Sequence, residues 1–96
     1  MGKVLPKKEK LKVIEKNGLF CYECKLELQI IYKKKTFQIK NGHFHHLIPQ
    51  IYKGENNSFN ACLLCKSCHM LIHSGKETKE KYIKMFENYY QNIKLL

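Results

Sequence analysis

Two CxxC pairs constrain this chain more than any other feature of its sequence. Cys21 and Cys24 form the first pair, Cys65 and Cys68 form the second, and residues 25–64 lie between them. Four thiolates in such pairs make up a closed tetrahedral zinc site, which has no open position and therefore a structural role. A chain of 96 residues buries only a small core, so metal binding would supply part of its folding energy. We predict that one zinc ion ties the two pairs together.

The fifth cysteine, Cys62, leaves a second zinc assignment open. It forms another CxxC with Cys65, so the second pair could be shifted along the chain. Cys62 lies between alanine and leucine in an apolar run, which is the setting of a small buried side chain. The assignment to Cys65 and Cys68 is therefore favoured.

The first residues of the chain favour a reducing compartment. Residues 1–16 alternate lysine with single apolar residues and contain no apolar core of a secretory signal. No stretch approaches the roughly 18 consecutive apolar residues of a membrane span. We expect a cytoplasmic protein with reduced thiols and no membrane contact.

The charge of the chain suits a polyanionic partner. Eighteen lysines and no arginine stand against eight acidic residues, which gives a formal net charge of +10 and a pI near 9.5. Lysine neutralises phosphates as a point charge, but it lacks the planar fork with which arginine reads guanine edges. We expect DNA to be bound mainly through its phosphates, with little sequence preference. The alternative is that the lysine content reflects an AT-rich coding sequence alone.

The order of predicted elements indicates one domain of the α+β class over residues 1–96. The elements are a helix over about 6–17, strands between residues 26 and 48 with a hairpin turn at Asn41-Gly42, a helix over 65–73 and a helix over about 77–94. Pro6 and Gly18 mark the ends of the first helix. Apolar residues spaced by three and four give the last helix one buried face, formed by Tyr82, Met85, Phe86, Tyr89 and Ile93.

All five histidines fall in two short stretches, HFHHLIP at 43–49 and CHMLIH at 68–73. His69 and His73 are four residues apart and share a helix face, whereas Cys68 points about 100° away from His69. Histidines from the first stretch, placed beside that face, would complete three ligands of a cation and leave coordination positions open. A further neutral histidine would accept a proton from water. This combination predicts metal-dependent hydrolysis of phosphodiesters.

The sequence resembles the HNH endonucleases, whose fold contains a ββα-metal or His-Me finger. The resemblance covers residues 21–73 and is carried by FCYEC, HHLIP and NACLLCKSCHMLIH in that order. It implies a small ββα-metal domain with a structural zinc knuckle pair and flanking helices. It also implies an enzyme, a metal-dependent endonuclease that cleaves DNA.

The resemblance gives each site residue a role. His46 corresponds to the general base, and Asn60 corresponds to the asparagine that braces the finger and helps orient that base. Asn56 and Asn57 fit the family spacing less well. The implied ligands of the catalytic metal are His45, His69 and His73. The implied ligands of the structural zinc are Cys21, Cys24, Cys65 and Cys68.

Alternatives remain open for the cation, for two histidines and for the activity. The cation is Mg²⁺, Mn²⁺, Ni²⁺ or Zn²⁺. His45 stands where many family members have Asp, so a hard oxygen ligand is replaced by imidazole, which favours the softer of these ions. His73 is either a ligand or a helix-end side chain, and His43 is either a surface residue or a phosphate contact. One site per chain is compatible with a monomer or a homodimer. The alternative function is a non-catalytic, zinc-stabilised nucleic-acid-binding module with one metal per chain.

Overall fold

The computed structural model describes residues 4–94, which form three α-helices, four strands and two short 3-10 helices at Gln50–Tyr52 and Ser58–Asn60. The elements are α1 (Lys7–Asn17), β1 (Gln29–Tyr32), β2 (Phe37–Lys40), β3 (Gly42–His46), β4 (Ala61–Cys65), α2 (Lys66–Ile72) and α3 (Lys79–Lys94). The predicted α+β class is confirmed, and each predicted helix lies within two residues of an observed one. Across the described range, no helix has both the length and the apolar character needed to cross a bilayer.

The strands form two separate antiparallel sheets. β1 pairs with β2, and the turn between them is closed by backbone hydrogen bonds of 2.9 and 3.3 Å between Lys33 and Thr36. β3 pairs with β4 instead of β2, so the hairpin turn predicted at Asn41-Gly42 is wrong. Asn41 has a φ of 55°, a left-handed conformation that asparagine tolerates. This bend directs the chain out of the first sheet and into the second.

β4 is buried along its whole length, and the sequence analysis does not predict it. Its five residues, ACLLC, form a continuous apolar run, which periodicity alone does not distinguish from a buried helix. Cys62 lies fully buried in the middle of this strand, as expected for a small apolar side chain. Burial raises the pKa of the Cys62 thiol, so this cysteine stays protonated.

The predicted apolar face of α3 packs against the rest of the molecule. Tyr82 and Tyr89 are fully buried, and Met85 and Phe86 are partly buried against the core. The side chain of Ile93, the last member of this face, lies outside the described residues. Among the described residues, the remaining buried aliphatic and aromatic side chains are Leu5, Val13, Leu28, Phe37, Ile39, Leu47, Ala61, Leu63 and Leu64.

Lys16 joins α1 to the loop before β4 and to α3. Its Nζ donates to the carbonyl oxygens of Ser58 at 2.7 Å and Ala61 at 3.2 Å, and to the hydroxyl of Tyr90 at 3.0 Å. The same Nζ lies 4.9 Å from the ring centroid of Tyr89. Burial lowers the pKa of Lys16 to about 8. This lysine therefore has a structural role that its place in a basic helix does not reveal.

Replacing Lys16 with methionine should destabilise the fold. Methionine keeps most of the aliphatic stem but leaves the carbonyls of Ser58 and Ala61 without this donor, a loss on the order of 2 kcal/mol. Urea denaturation followed by circular dichroism measures the change. Lys12→Met is the matched control, because Lys12 is exposed on the same helix and makes only a surface ion pair with Glu9. Equal stability of the two variants would contradict the proposed role of Lys16.

Candidate metal centres

The β3–β4 pairing brings both histidine stretches and the second CxxC pair together. In its register His45 faces Cys62, His46 faces Ala61, and Gly42 faces Cys65. α2 begins directly after β4, and Cys65 forms its N-cap by accepting a hydrogen bond from the Cys68 backbone N–H at 3.4 Å. The start of α2 therefore carries thiols, while its later turn carries His69 and is followed by His73 at the C-cap.

The four predicted zinc ligands form one cluster. The Sγ atoms of Cys21, Cys24, Cys65 and Cys68 all lie within 4.8 Å of one another. The Cys24 and Cys65 Sγ atoms are 3.7 Å apart. A tetrahedral zinc with Zn–S bonds of about 2.3 Å requires an S–S separation of about 3.8 Å. The cluster could hold a structural metal ion such as zinc, and its members are those of the favoured assignment.

The surroundings of Cys21 favour its thiolate. Burial raises the pKa of the Cys21 thiol, but backbone N–H groups, led by that of Cys24 at 3.5 Å, lower it more. The net result is a pKa of about 7, below the ordinary value of 9. The thiolate is the form that binds a metal, so Cys21 is suited to begin metal binding. The Leu26 backbone N–H lowers the pKa of Cys24, but the neighbouring Cys21 and Cys65 thiols and burial outweigh this effect, so that pKa is raised instead.

Three histidines form a second cluster. One ring nitrogen of each of His45, His69 and His73 lies within 4.8 Å of the others. The Nε2 atoms of His69 and His73 are 3.2 Å apart, and the ring centroid of His45 lies 5.5 and 5.4 Å from theirs. The three histidines that the resemblance selects are thus brought together, although His45 comes from a strand and the others from a helix.

His45 carries a buried ring nitrogen without a partner. The residue is 3% exposed, and among the described residues nothing hydrogen-bonds to its Nε2. A buried polar atom in this state is costly unless a ligand satisfies it. Burial, with the nearby His69 and His73, lowers the pKa of His45 to about 3, and burial also lowers that of His69. Both imidazoles are therefore neutral near pH 7, which is the form that binds a metal.

The predicted general base, His46, is held by an asparagine that the sequence analysis disfavours. The Nε2 atom of His46 lies 2.8 Å from Oδ1 of Asn56 and 3.3 Å from the amide nitrogen of Gln50. The shorter contact is to an oxygen that only accepts, so Nε2 carries the proton and Nδ1 keeps a lone pair. Asn56 was not selected from the sequence because the number of residues between two loop positions does not determine which side chain reaches His46.

Asn60 stabilises the loop after His46. Unlike that of Asn56, its side chain makes no described hydrogen bond to the His46 ring. Its side chain is 3% exposed, accepts from the Ile48 backbone N–H at 2.9 Å, and donates to the carbonyls of Ile48 and Glu55 at 2.8 Å. A Cβ at Gly54 would lie 1.6 Å from the Ile48 carbonyl oxygen, so only glycine fits beside this brace. Asn60 thus fixes the backbone that follows His46.

An open groove of about 940 Å³ leads to the histidines. Its polar lining includes Lys10, Lys66 and Gln50, and its apolar lining includes Phe37 and Phe44. His43 is exposed in the same groove, with its ring stacked on that of His69 at a centroid distance of 4.6 Å. The ring of His43 therefore packs against His69, one of the candidate ligands, and is also exposed to solvent.

Comparison of the chain with protein-family models, with curated proteins and with solved structures finds no match in any of the three.

Replacing Cys24 with serine should remove the metal of the four-cysteine cluster and destabilise the fold. The Cys24 side chain is exposed, so its replacement by serine should cost little packing energy. Loss of one thiolate should weaken metal binding, and because metal binding contributes to folding, the free energy of unfolding should fall by roughly several kcal/mol. Zinc content and thermal unfolding measure both effects. Cys62→Ala is the control and should retain one zinc, because Cys62 lies in the core and outside the cluster. Zinc loss from Cys62→Ala would support the shifted assignment, in which Cys62 takes the place of Cys68. Unchanged zinc content in Cys24→Ser would contradict the four-cysteine site itself.

Proposed function

We propose that the chain is a metal-dependent endonuclease of the HNH class that hydrolyses DNA phosphodiester bonds. In this proposal β3, β4 and α2 form the ββα-metal finger, and the four cysteines hold a structural zinc. His45, His69 and His73 hold the catalytic cation, which is Mg²⁺, Mn²⁺, Ni²⁺ or Zn²⁺. The enzyme acts in the cytoplasm, as a monomer or a homodimer.

The observation that carries the proposal is the cluster of ring nitrogens from His45, His69 and His73, in which the Nε2 atoms of His69 and His73 are close neighbours. Within the described residues the buried Nε2 of His45 has no hydrogen-bond partner. A separation of 3.2 Å between two ring nitrogens is close to the roughly 3.4 Å that two imidazoles on one tetrahedral zinc would have with Zn–N bonds of about 2.05 Å. Three protein ligands leave positions open for water and substrate. When bound, the cation would neutralise the phosphate and stabilise the leaving 3′ oxygen.

His46 follows His45 directly on β3, so its side chain projects from the opposite face of the strand at the end of the pairing with β4. Its Nε2–H bond to Asn56 keeps the Nδ1 lone pair available to remove a proton from water. Asn56 keeps the tautomer, and Asn60 keeps the backbone after His46 in place. The chain therefore supplies a base, a means of orienting it and a set of cation ligands around one groove.

The groove and the charge favour a nucleic acid as substrate. Lys10 and Lys66 line the groove that contains the histidines, and the net charge of the chain is +10. A phosphate backbone lying in this groove would be attracted by both lysines and brought to the cation. The lysines supply no bidentate contact to base edges, so the proposal includes little intrinsic sequence preference.

Plasmid cleavage by the purified protein, measured across a panel of divalent cations, tests the proposed activity. We expect cleavage with at least one of Mg²⁺, Mn²⁺, Ni²⁺ and Zn²⁺, and none in a chelator. His46→Ala should retain both metals and lose cleavage about a hundredfold or more, because it removes only the base. His69→Ala should keep the zinc and lose the second cation.

The variants purified by the same procedure also control for contaminating nuclease. Cleavage by His46→Ala at the rate of the unmodified protein would remove His46 from the mechanism. DNA binding with one metal per chain and no cleavage under any cation would establish the non-catalytic zinc module instead.

Salt dependence of DNA binding tests how the substrate is held. The His46→Ala protein with its cation bound keeps the substrate intact during the measurement. For about six neutralised phosphates the slope of log affinity against log salt should be about −5, a loss of about a thousandfold between roughly 50 and 200 mM salt. Lys66→Met should make the slope shallower by about 0.9, because Lys66 lines the groove.

Lys84→Met is the matched control, since Lys84 lines a different depression on the surface. It should leave the slope closer to that of the parent protein than Lys66→Met does. A shallow slope, combined with much tighter binding of one DNA sequence than of others, would contradict phosphate-dominated recognition.

A further inference from the structure

The two ring nitrogens of His73 have different partners. Nε2 lies 3.2 Å from Nε2 of His69, inside the histidine cluster. Nδ1 lies 3.2 Å from the Oε1 atom of Glu77. Glutamate is ionised near pH 7 and then only accepts hydrogen bonds, so Nδ1 carries the ring proton. The lone pair of the neutral ring is consequently on Nε2, toward the other histidines.

Glu77 is itself held by a second side chain. The hydroxyl of Tyr82 donates to Oε2 of Glu77 at 2.5 Å, and the same hydroxyl lies 3.3 Å from Nδ1 of His73. Tyr82 is fully buried on α3, so its hydroxyl has a fixed position. Each oxygen of the carboxylate therefore has its own partner, one on the ring of His73 and one on α3.

His73 needs such support more than the other two histidines of the cluster. It lies at the C-cap of α2, and 40% of its side chain is exposed. His45 is fixed by burial, and His69 is stacked on His43. Without a partner at Nδ1, the ring of His73 would be free to rotate or to move its proton to Nε2, where it would block binding of a cation.

We propose that Glu77 and Tyr82 are positioning residues that hold His73 with its Nε2 atom toward the catalytic cation. The inference rests on the proposed function, because it takes the histidine cluster to be a cation site. From the sequence, Tyr82 is predicted only as part of the apolar face of the last helix, and Glu77 has no predicted role. Glu77 continues the four-residue spacing of His69 and His73, but α2 ends at Ile72, so helix periodicity gives no reason to place it there.

Cation affinity of the zinc-containing, full-length protein tests this role. Calorimetric titration with Mn²⁺ or Ni²⁺ should show a dissociation constant for Glu77→Ala that is about 10 to 100 times that of the parent protein. Glu77→Gln should lie between them, because an amide oxygen still accepts from Nδ1. Tyr82→Phe, which removes only the hydroxyl, should also weaken binding. Glu80→Ala is the matched control on the exposed first turn of α3 and should bind as the parent does.

Nitrogen-15 NMR of the histidine rings, recorded with zinc bound and no second cation, reports the tautomer directly. The parent protein should show His73 protonated on Nδ1, and Glu77→Ala should show a mixture of the two neutral tautomers. Protonation of His73 on Nε2 in the parent protein, or a Glu77→Ala affinity within twofold of the parent, would overturn the inference while leaving the proposed function standing. A parent protein that binds no second cation would instead refute the proposed function and this inference together.

Discussion

The pairing of β3 with β4 is the constraint on which both clusters depend. It places His45 opposite Cys62 in the core, and it delivers Cys65 to the N-cap of α2. A slip of one residue would turn His45 outward and Phe44 inward, because side chains alternate along a strand. The partly buried Phe44 and the fully buried β4 oppose that slip. The register therefore fixes which histidine faces α2.

α2 separates two kinds of chemistry that are adjacent in the sequence. Cys68 belongs to the four-thiol cluster and His69 to the histidine cluster, and the helical rotation of about 100° per residue directs them apart. The thiol cluster links α2 to the loop that follows α1, so a metal there would fix the helix from one side. The histidine cluster faces the groove from the other side. We infer that a metal in the thiol cluster would stabilise the position of α2 and, with it, the arrangement of the three histidines.

The sequence identifies the clusters better than it identifies their support. The CxxC spacings and the four-residue step from His69 to His73 are set by local backbone geometry, so short segments contain the information. The pairing of β3 with β4 joins distant segments, and the turn residues at Asn41-Gly42 favoured a different hairpin. Asn56 and Glu77 reach their histidines from loops, where the separation along the chain does not determine distance in space.

Absorption spectroscopy during titration of the reduced, metal-free protein with Co²⁺ tests the central claim that two separate cation sites lie on α2. The account predicts that one equivalent fills the cysteine cluster and gives the intense thiolate-to-cobalt charge-transfer bands of a four-thiolate tetrahedron. A second equivalent should add weaker visible bands from nitrogen and oxygen ligands, without further thiolate charge transfer. Saturation at one equivalent, or a second equivalent that adds or removes thiolate bands, would show that cysteines and histidines share a single site and would contradict the account.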